Sequence, residues 1–311
     1  MRFTNIHNLP SVLERILTYD NYDLNKYEEG VISVTELIGP PQISILRREF
    51  HKSIEEDVSG RIFMTLGNAF HNYAEMILGE TDIGAGKLVE HRISHDAFGL
   101  CLKGKPDYVE EGVLYDFKTT SVWNSIRGAN PEWEKQLNCY AYIVQKELGI
   151  HIRSLMVLPI FRDWMPSQAK RSSDYPRVPS DSFNIPLWDQ NTAEDYIRER
   201  VFEHIEARET YASSGTLPLC SKKERWATDD KWAVMKRGRK SALKLMDSEE
   251  AAVVFIENHK WKSDLYIDMR AGESRRCMEY CNVSGVCDQY GASCLDALGT
   301  SDLPRNTQEV V

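Results

Sequence analysis

Two acids and a lysine are spaced so that they could assemble a metal site. Asp107 precedes Asp116 and Lys118, and the residues Glu110-Glu111-Gly112 between them predict a turn. A hairpin through this turn would bring Asp107 back beside Asp116. Two carboxylates and an ammonium would then converge on one point, and carboxylate oxygens are the ligands that hard divalent cations prefer.

The second acid and the lysine belong to a predicted strand at residues 113–119, which is rich in β-branched and aromatic side chains. Side chains alternate between the faces of a strand, so Asp116 and Lys118 share one face. The other face, which includes Tyr115 and Phe117, is expected to be buried and apolar. A charged pair on such a strand contributes little to stability, so its presence favours a metal site. The alternative is an exposed edge strand with a solvated ion pair.

Helices are predicted on both sides of these acids. Residues 67–75 predict a helix that carries His71. Residues 130–149 open with Asn-Pro and end with Gly, which predicts a second helix, and Gln136 and Tyr140 lie four apart on one of its faces. The alternative for His71 is an ion pair with an acid on its own helix. The alternative for the second helix is that Tyr140 belongs to the apolar core stripe and Gln136 to the surface.

In this order the residues resemble the signature of the PD-(D/E)XK nuclease superfamily and of its RecB-like exonuclease branch. The matching motifs are Gly67-x-x-x-His71, Pro106-Asp107, Asp116-Phe117-Lys118 and Gln136-x-x-x-Tyr140. They cover less than a third of the chain. The resemblance implies an α/β fold of the restriction-endonuclease-like kind, in which a mixed central sheet is flanked by helices.

The same resemblance implies a role for each matching residue. The ligands of Mg²⁺ or Mn²⁺ would be His71, Asp107, Asp116 and the carbonyl of Phe117. Lys118 would position a water molecule or stabilise the transition state. Gln136 and Tyr140 would orient the substrate strand, with Tyr140 placed for stacking.

The seven cysteines give a second signal. Three of them form Cys277-x3-Cys281-x5-Cys287, and Cys294 follows. The odd count and the lack of a signal-peptide core disfavour a secreted disulfide framework, so the clustered thiols predict a metal. Zinc is the generic metal for four thiolates, although this spacing differs from the paired Cys-x2-Cys of a zinc ribbon.

RecB-like nucleases with an iron–sulfur cluster, such as phage-borne and CRISPR adaptation nucleases, resemble this pattern of a C-terminal triplet and one distant cysteine. The resemblance implies a 4Fe–4S cluster on Cys220, Cys277, Cys281 and Cys287. In the CRISPR adaptation nucleases the lone cysteine precedes the nuclease motifs, whereas here it follows them. Cys294 is the rival fourth ligand, and Zn²⁺ or no metal are the alternatives to iron–sulfur.

The basic residues are concentrated in one segment of a chain whose net charge is −9. Residues 221–244 hold nine basic and three acidic residues, with Trp226 and Trp232 among them. Basic side chains follow phosphates and aromatic rings stack on unpaired bases, so DNA is the predicted ligand. The predicted DNA contacts are Lys222, Lys223, Arg237, Arg239 and Lys240. The alternative is that the basic residues form a solvated face and the two tryptophans belong to the core. For the tryptophans, the core is the favoured interpretation.

The chain is predicted to have four regions. Residues 1–60 would be an N-terminal helical segment, 61–215 the nuclease core, 216–298 a basic insert with the cysteine cluster, and 299–311 a flexible tail. The insert is predicted as β-β-α, from strands at 231–236 and 241–246 and a helix from 249.

Together these features predict a metal-dependent DNA exonuclease of phage or bacterial recombination, replication or repair. Its expected partners are DNA with a free end and recombination or replication proteins, and its oligomeric state is left open. No apolar stretch is long enough to span a membrane, so a cytoplasmic protein is expected. The alternatives are an inactive DNA-end-binding or scaffolding protein on a nuclease fold, and a zinc-held structural module.

Overall fold

The structure is a computed structural model that describes residues 1–19 and 28–291. Contacts divide the chain into two compact units, Met1–Pro218 and Leu219–Val311. The predicted tail at 299–311 and Cys294 lie outside the described residues, and the four predicted regions stay a prediction. None of the described helices combines the length and the apolar composition that crossing a membrane requires.

The described part of the first unit contains both helices and strands. In chain order they are β1 (Arg2–Thr4), α1 (Ser11–Thr18), β2 (Val31–Ser33), α2 (Val34–Leu37), α3 (Pro41–Glu49), β3 (Glu55–Asp57), α4 (Ile62–Leu78), β4 (Leu88–Val89), β5 (Ile93–Ala97), β6 (Leu100–Gly104), β7 (Tyr108–Glu110), β8 (Val113–Thr120), α5 (Val122–Arg127), α6 (Pro131–Leu148), β9 (Ser154–Phe161), α7 (Pro166–Arg171), β10 (Phe183–Ile185) and α8 (Gln190–Ser214).

A five-stranded mixed sheet forms the centre of this unit. Its strand order is β10-β9-β8-β7-β4, in which β8 and β9 are parallel and the other neighbours are antiparallel. A three-stranded sheet, β2-β6-β5, packs with it around one apolar core. The predicted mixed α/β class, with helices flanking multi-stranded mixed sheets, is confirmed.

Helix α6 runs through this core and has the ends that the sequence predicts. The Asn130 side chain accepts a hydrogen bond from the Glu132 amide, and Pro131 occupies the first turn. Gly149 ends the helix with a left-handed φ of 66°. The middle of the helix is buried on most of its circumference, from Leu137 to Val144, which fixes the direction of its polar side chains.

The hairpin from β7 to β8 positions the two acids. Glu111 and Gly112 both have positive φ, 49° and 74°, as in the tight two-residue turns that match the twist of paired strands. The register pairs Tyr108 with Tyr115. Asp107 therefore comes back beside Asp116, as predicted.

The described part of the second unit contains a small antiparallel sheet and one α-helix: β11 (Lys231–Lys236), β12 (Lys244–Met246), α9 (Glu249–Glu257) and β13 (Leu265–Arg270). Short 3-10 turns at Lys262–Asp264 and Ser284–Val286 and a π-helical turn at Arg276–Tyr280 complete it. The sheet order is β12-β11-β13, and β13, which pairs along all of β11, is not predicted from the sequence. Its buried core consists of Val234, Ala252 and Leu265.

Candidate active site

Asp107 and Asp116 lie side by side in a buried position. The Oδ2 atom of Asp107 accepts a hydrogen bond of 2.6 Å from the Phe117 amide. Asp116 is 1% exposed, and its Oδ1 atom has no hydrogen-bond partner among the described residues. Burial, and then the charge of Asp116, raise the pKa of Asp107 to about 7. The site is therefore short of positive charge.

This shortage fits a divalent cation. A buried carboxylate without a hydrogen-bond partner is unfavourable unless a nearby positive charge compensates it. Lys118 supplies one such charge, with its Nζ atom 2.7 Å from Asp116 Oδ2. The two carboxylates face this ammonium and the His71 imidazole, and carboxylate oxygens are the donors that Mg²⁺ and Mn²⁺ take in proteins.

Lys118 connects the acids to α6. It donates a hydrogen bond of 3.2 Å to Gln136 Oε1, and Gln136 Nε2 donates one of 3.1 Å to the Tyr140 hydroxyl. Burial lowers the pKa of Lys118, but the charges of Asp116 and Asp107 outweigh it, so the pKa is raised and the ammonium stays charged. The lysine is thus held in place as a fixed cation.

Tyr140 is not placed for the stacking expected of it. The residue is only 6% exposed because its ring packs in the core. Its hydroxyl instead holds Gln136, which in turn holds Lys118. The prediction that Tyr140 stacks on a base is therefore wrong, although its position beside Gln136 is as expected.

The two faces of β8 are buried in the reverse of the expected way. Leu114 and Asp116 are 0% and 1% exposed, whereas Tyr115 and Phe117 are half-buried. The acidic face is thus the more buried one, and the prediction of a buried apolar face opposite it is wrong. The reason is that β8 is an interior strand: α6 covers the acidic face, and α4 covers the other through the Phe70–Phe117 ring contact at 5.6 Å.

Helix α4 brings His71 to the acids. Its Nδ1 atom lies 2.8 Å from Glu90 Oε1 and 3.5 Å from Asp107 Oδ1. Burial lowers the pKa of His71, but the hydrogen bond to Glu90 and the charges of Asp107 and Glu90 reverse the shift, so it is raised. Ligand atoms of His71, Glu90 and Asp107 lie within 4.8 Å of one another, close enough for one cation to bridge them.

Glu90 is the site residue that sequence reasoning misses. Its side chain is 3% exposed and pairs with Lys105, and it contacts His71 in place of the α4 acid that the alternative interpretation gave. Its φ of 47° is unusual for a residue other than glycine, and its amide donates a hydrogen bond of 2.8 Å to the Asp107 carbonyl. The available signal was weak: an acid directly after a short apolar strand, Leu88–Val89.

The predicted nuclease residues are all linked by these contacts. They are His71, Asp107, Asp116, Phe117, Lys118, Gln136 and Tyr140. Phe117 joins through its backbone amide and its ring, which lies 6.2 Å from His71. A ligand role for the Phe117 carbonyl stays a prediction.

The four predicted cluster cysteines come together in the second unit. Burial raises the pKa of the Cys220 thiol to about 12, and the negative charge of Glu224 contributes to this rise. The thiolates of the other three cysteines act in the same direction, in the order Cys287, Cys281 and Cys277. Gln289 ties position 220 to the C-terminal segment, because its amide side chain makes two hydrogen bonds of 2.9 Å with the Cys220 backbone. The described cysteines form no disulfide.

The predicted DNA contacts, Lys222, Lys223, Arg237, Arg239 and Lys240, are all exposed. Lys222 pairs with Asp229 at 3.1 Å. Trp232 packs against the small core, as expected, but Trp226 is 44% exposed, so the core placement expected for it is wrong. Trp226 instead contacts Tyr280, with ring centroids 5.3 Å apart.

Comparisons with known proteins give weak similarities. No family model matches the chain, and no curated protein matches it. The crystal structure of SSO0001 aligns with a TM-score of 0.39 and 17% identity over 61% of this chain and 81% of that one. The crystal structure of LHK-Exo in complex with dAMP aligns with a TM-score of 0.34 and 12% identity over 60% and 94%. At this level neither alignment assigns a function.

Proposed function

We propose that this chain is a RecB-like PD-(D/E)XK deoxyribonuclease, a metal-dependent exonuclease that acts on DNA ends in phage or bacterial recombination, replication or repair. The main support is the Asp116 carboxylate, which is buried beside Asp107 and has an oxygen without a hydrogen-bond partner among the described residues. Such an arrangement is unfavourable by itself and becomes useful when a cation and a phosphate complete it.

The residues divide into those that hold the cation and those that act on the substrate. The cation would be held by the side chains of His71, Glu90, Asp107 and Asp116. When bound, Mg²⁺ or Mn²⁺ would supply Lewis acidity, which makes water more acidic and offsets the charge that develops on the phosphate. Lys118 would place a fixed positive charge beside the scissile phosphate. The hydrogen bonds from Lys118 to Gln136 and from Gln136 to Tyr140 hold the ammonium in that position.

The test is a time course on end-labelled single- and double-stranded DNA with Mg²⁺ or Mn²⁺. We expect digestion from the ends by the wild-type protein and none by Asp116→Asn. Asp96→Asn is the matched control, because Asp96 is an exposed aspartate on β5. Cleavage by Asp116→Asn near the wild-type rate would contradict the assignment, and binding without cleavage by the wild type would favour an inactive end-binding protein.

For the second unit the proposed cofactor is a 4Fe–4S cluster on Cys220, Cys277, Cys281 and Cys287. The electrostatic influence of the other three thiols on Cys220 supports it, as do the two hydrogen bonds between Gln289 and the Cys220 backbone. Protein purified without oxygen should be brown and contain iron and sulfide near one cluster per chain. One equivalent of zinc without iron would contradict this part of the proposal and leave the nuclease site untouched.

A further inference from the structure

A row of aromatic rings lies at the end of α9 in the second unit. Phe255, His259 and Trp261 follow one another with ring centroids 5.4 Å and 5.2 Å apart. Phe255 packs against the small core, whereas Trp261 is 40% exposed. The row therefore runs from the core to the surface, and its outer ring is accessible to a ligand.

Hydrogen bonds hold this row in place before any ligand binds. The Trp261 amide donates to His259 Nδ1 at 3.2 Å, which fixes the orientation of the imidazole. The His259 amide donates to the Ile256 carbonyl at 3.0 Å, and the Asp264 amide to the Trp261 carbonyl at 2.9 Å. A ring that is already ordered loses less entropy on binding.

Ammonium groups lie over the rings. Lys236 Nζ and Lys260 Nζ are 3.8 Å and 4.6 Å from the centre of the Trp261 ring. Lys244 Nζ is 5.3 Å from the centre of the Phe255 ring. Positive charge is thus concentrated on the rings themselves.

An exposed basic turn adjoins the row. It follows β11 and contains Arg237, Arg239 and Lys240. The Arg237 amide donates a hydrogen bond of 2.9 Å to the Asp264 carbonyl, so the turn lies beside the loop that carries Trp261. We define the ring-and-lysine surface as Lys236, Arg237, Arg239, Lys240, Lys244, Phe255, His259, Lys260 and Trp261.

We propose that the ring-and-lysine surface binds single-stranded nucleic acid. Unpaired bases would stack on Trp261 and the row behind it, and the basic side chains would take the phosphates. A base stacked on an exposed ring is held more strongly than an exposed ammonium, so the lysines can leave the rings for phosphates. The inference rests on the proposed function, because it names the form of DNA that the nuclease holds.

Double-stranded DNA would use this surface differently. In a duplex the base faces are covered by their neighbours, so an exposed tryptophan has no base on which to stack. The basic side chains would still contact phosphates. The ring-and-lysine surface should therefore favour unpaired over paired strands, and that preference should depend on Trp261.

The test is fluorescence anisotropy with labelled oligo(dT) and with a blunt duplex of the same length, using the full chain with Asp116→Asn to prevent digestion. Adding Trp261→Ala should weaken oligo(dT) binding about tenfold, the effect of losing one stacked base, and leave duplex binding unchanged. Trp261→Phe retains a ring and should bind nearly as well as the parent. If Trp261→Ala does not fold, Lys260→Gln should still lower the salt dependence of oligo(dT) binding.

Trp226→Ala is the matched control, because it removes another exposed tryptophan of the same unit, one outside the surface. Unchanged oligo(dT) affinity in Trp261→Ala would overturn the proposal, as would an equal loss for the duplex or in Trp226→Ala. Displacement of oligo(dT) by polyglutamate as readily as by unlabelled oligo(dT) would indicate an acidic protein partner and also overturn it. Since binding is measured without cleavage, failure here leaves the nuclease proposal standing, and failure of cleavage leaves this test valid.

Discussion

The acidic site and the cysteine cluster of this chain are held together by different forces. Around Asp116, a five-stranded sheet and α6 fix the ligands within a large apolar core. The described part of the second unit has a small core around Val234. Among its described residues after β13, Val283 is the one buried apolar side chain. Within the described residues, the three C-terminal cysteines therefore lie where few apolar side chains are buried.

This difference indicates what each metal would do. Where the protein already fixes the ligands, an ion relieves the repulsion between buried charges and adds chemistry, but the fold does not depend on it. Where the core is too small to fix the ligands, the binding energy of the metal becomes part of the folding energy. Loss of metal should therefore abolish activity in the first unit and structure in the second.

The largest expected effect is on the second unit. Cys281→Ser should remove the cluster and unfold this unit while the first unit stays folded. The scale is set by structural zinc sites, whose binding contributes roughly 10–16 kcal/mol to folding. Metal analysis together with calorimetry should show loss of iron and of one thermal transition.

The control for this change is Cys101→Ser, which alters a half-buried cysteine on β6 of the first unit. It should leave the metal content unchanged. A Cys281→Ser protein with wild-type melting and protease resistance would show that the cysteine region folds without its metal.

The next effect separates activity from stability in the first unit. Asp116→Asn should lower the cleavage rate by about 100-fold or more, as expected when a metal ligand is lost. The free energy of unfolding should change little, because the substitution removes the repulsion from Asp107 together with the attraction to Lys118. Single-turnover cleavage and denaturant unfolding measure the two quantities. A clear loss of stability would show that the acid serves the fold.

A smaller effect is expected at the residue missed by sequence reasoning. Glu90→Gln should weaken Mn²⁺ binding about 10- to 100-fold, because it removes a ligand and the partner that orients His71. Glu75→Gln is the control, since Glu75 is an exposed acid on α4, one turn after His71 on that helix. Titration calorimetry compares them. Equal affinities in the two variants would exclude Glu90 from the metal site.

Local signals predict the elements of the site well. Asn130, Pro131 and Gly149 act on their own helix, and Glu111-Gly112 acts on its own hairpin, so α6 and the β7–β8 pairing follow from nearby residues. The burial of Asp116 does not follow from nearby residues. The alternation of side chains along β8 shows which residues share a face, but not which face a distant helix covers. Glu90 reaches His71 only through tertiary packing.

The second unit shows the same limit. The sequence favours core positions for Trp226 and Trp232, and it does not single out Trp261, which carries two ammonium groups over its ring. The pairing of β13 with β11 brings Lys236 and Trp261 together, and no local sequence pattern predicts that pairing. Chemistry that depends on two distant segments is therefore the part that sequence alone leaves out.

The smallest expected effect concerns a metal-free part of the first unit. His204 is 1% exposed and its Nε2 atom lies 3.1 Å from the Leu37 carbonyl. Burial, and then the charge of Arg200, lower its pKa from 6.5 to about 4. The unfolded chain therefore takes up the proton first as pH falls. The stability that neutral His204 provides is complete above pH 6.5 and is lost progressively toward pH 4.

Between pH 7 and pH 5 this loss should be about 2 kcal/mol. The raised pKa of Asp107 works in the opposite direction, since the folded protein takes up that proton first. The quantity to measure is therefore the difference in unfolding free energy between wild type and His204→Gln at each pH. It should shrink by about 2 kcal/mol on acidification. A constant difference for His204→Gln would mean that the buried imidazole is protonated as readily in the folded chain as in the unfolded one.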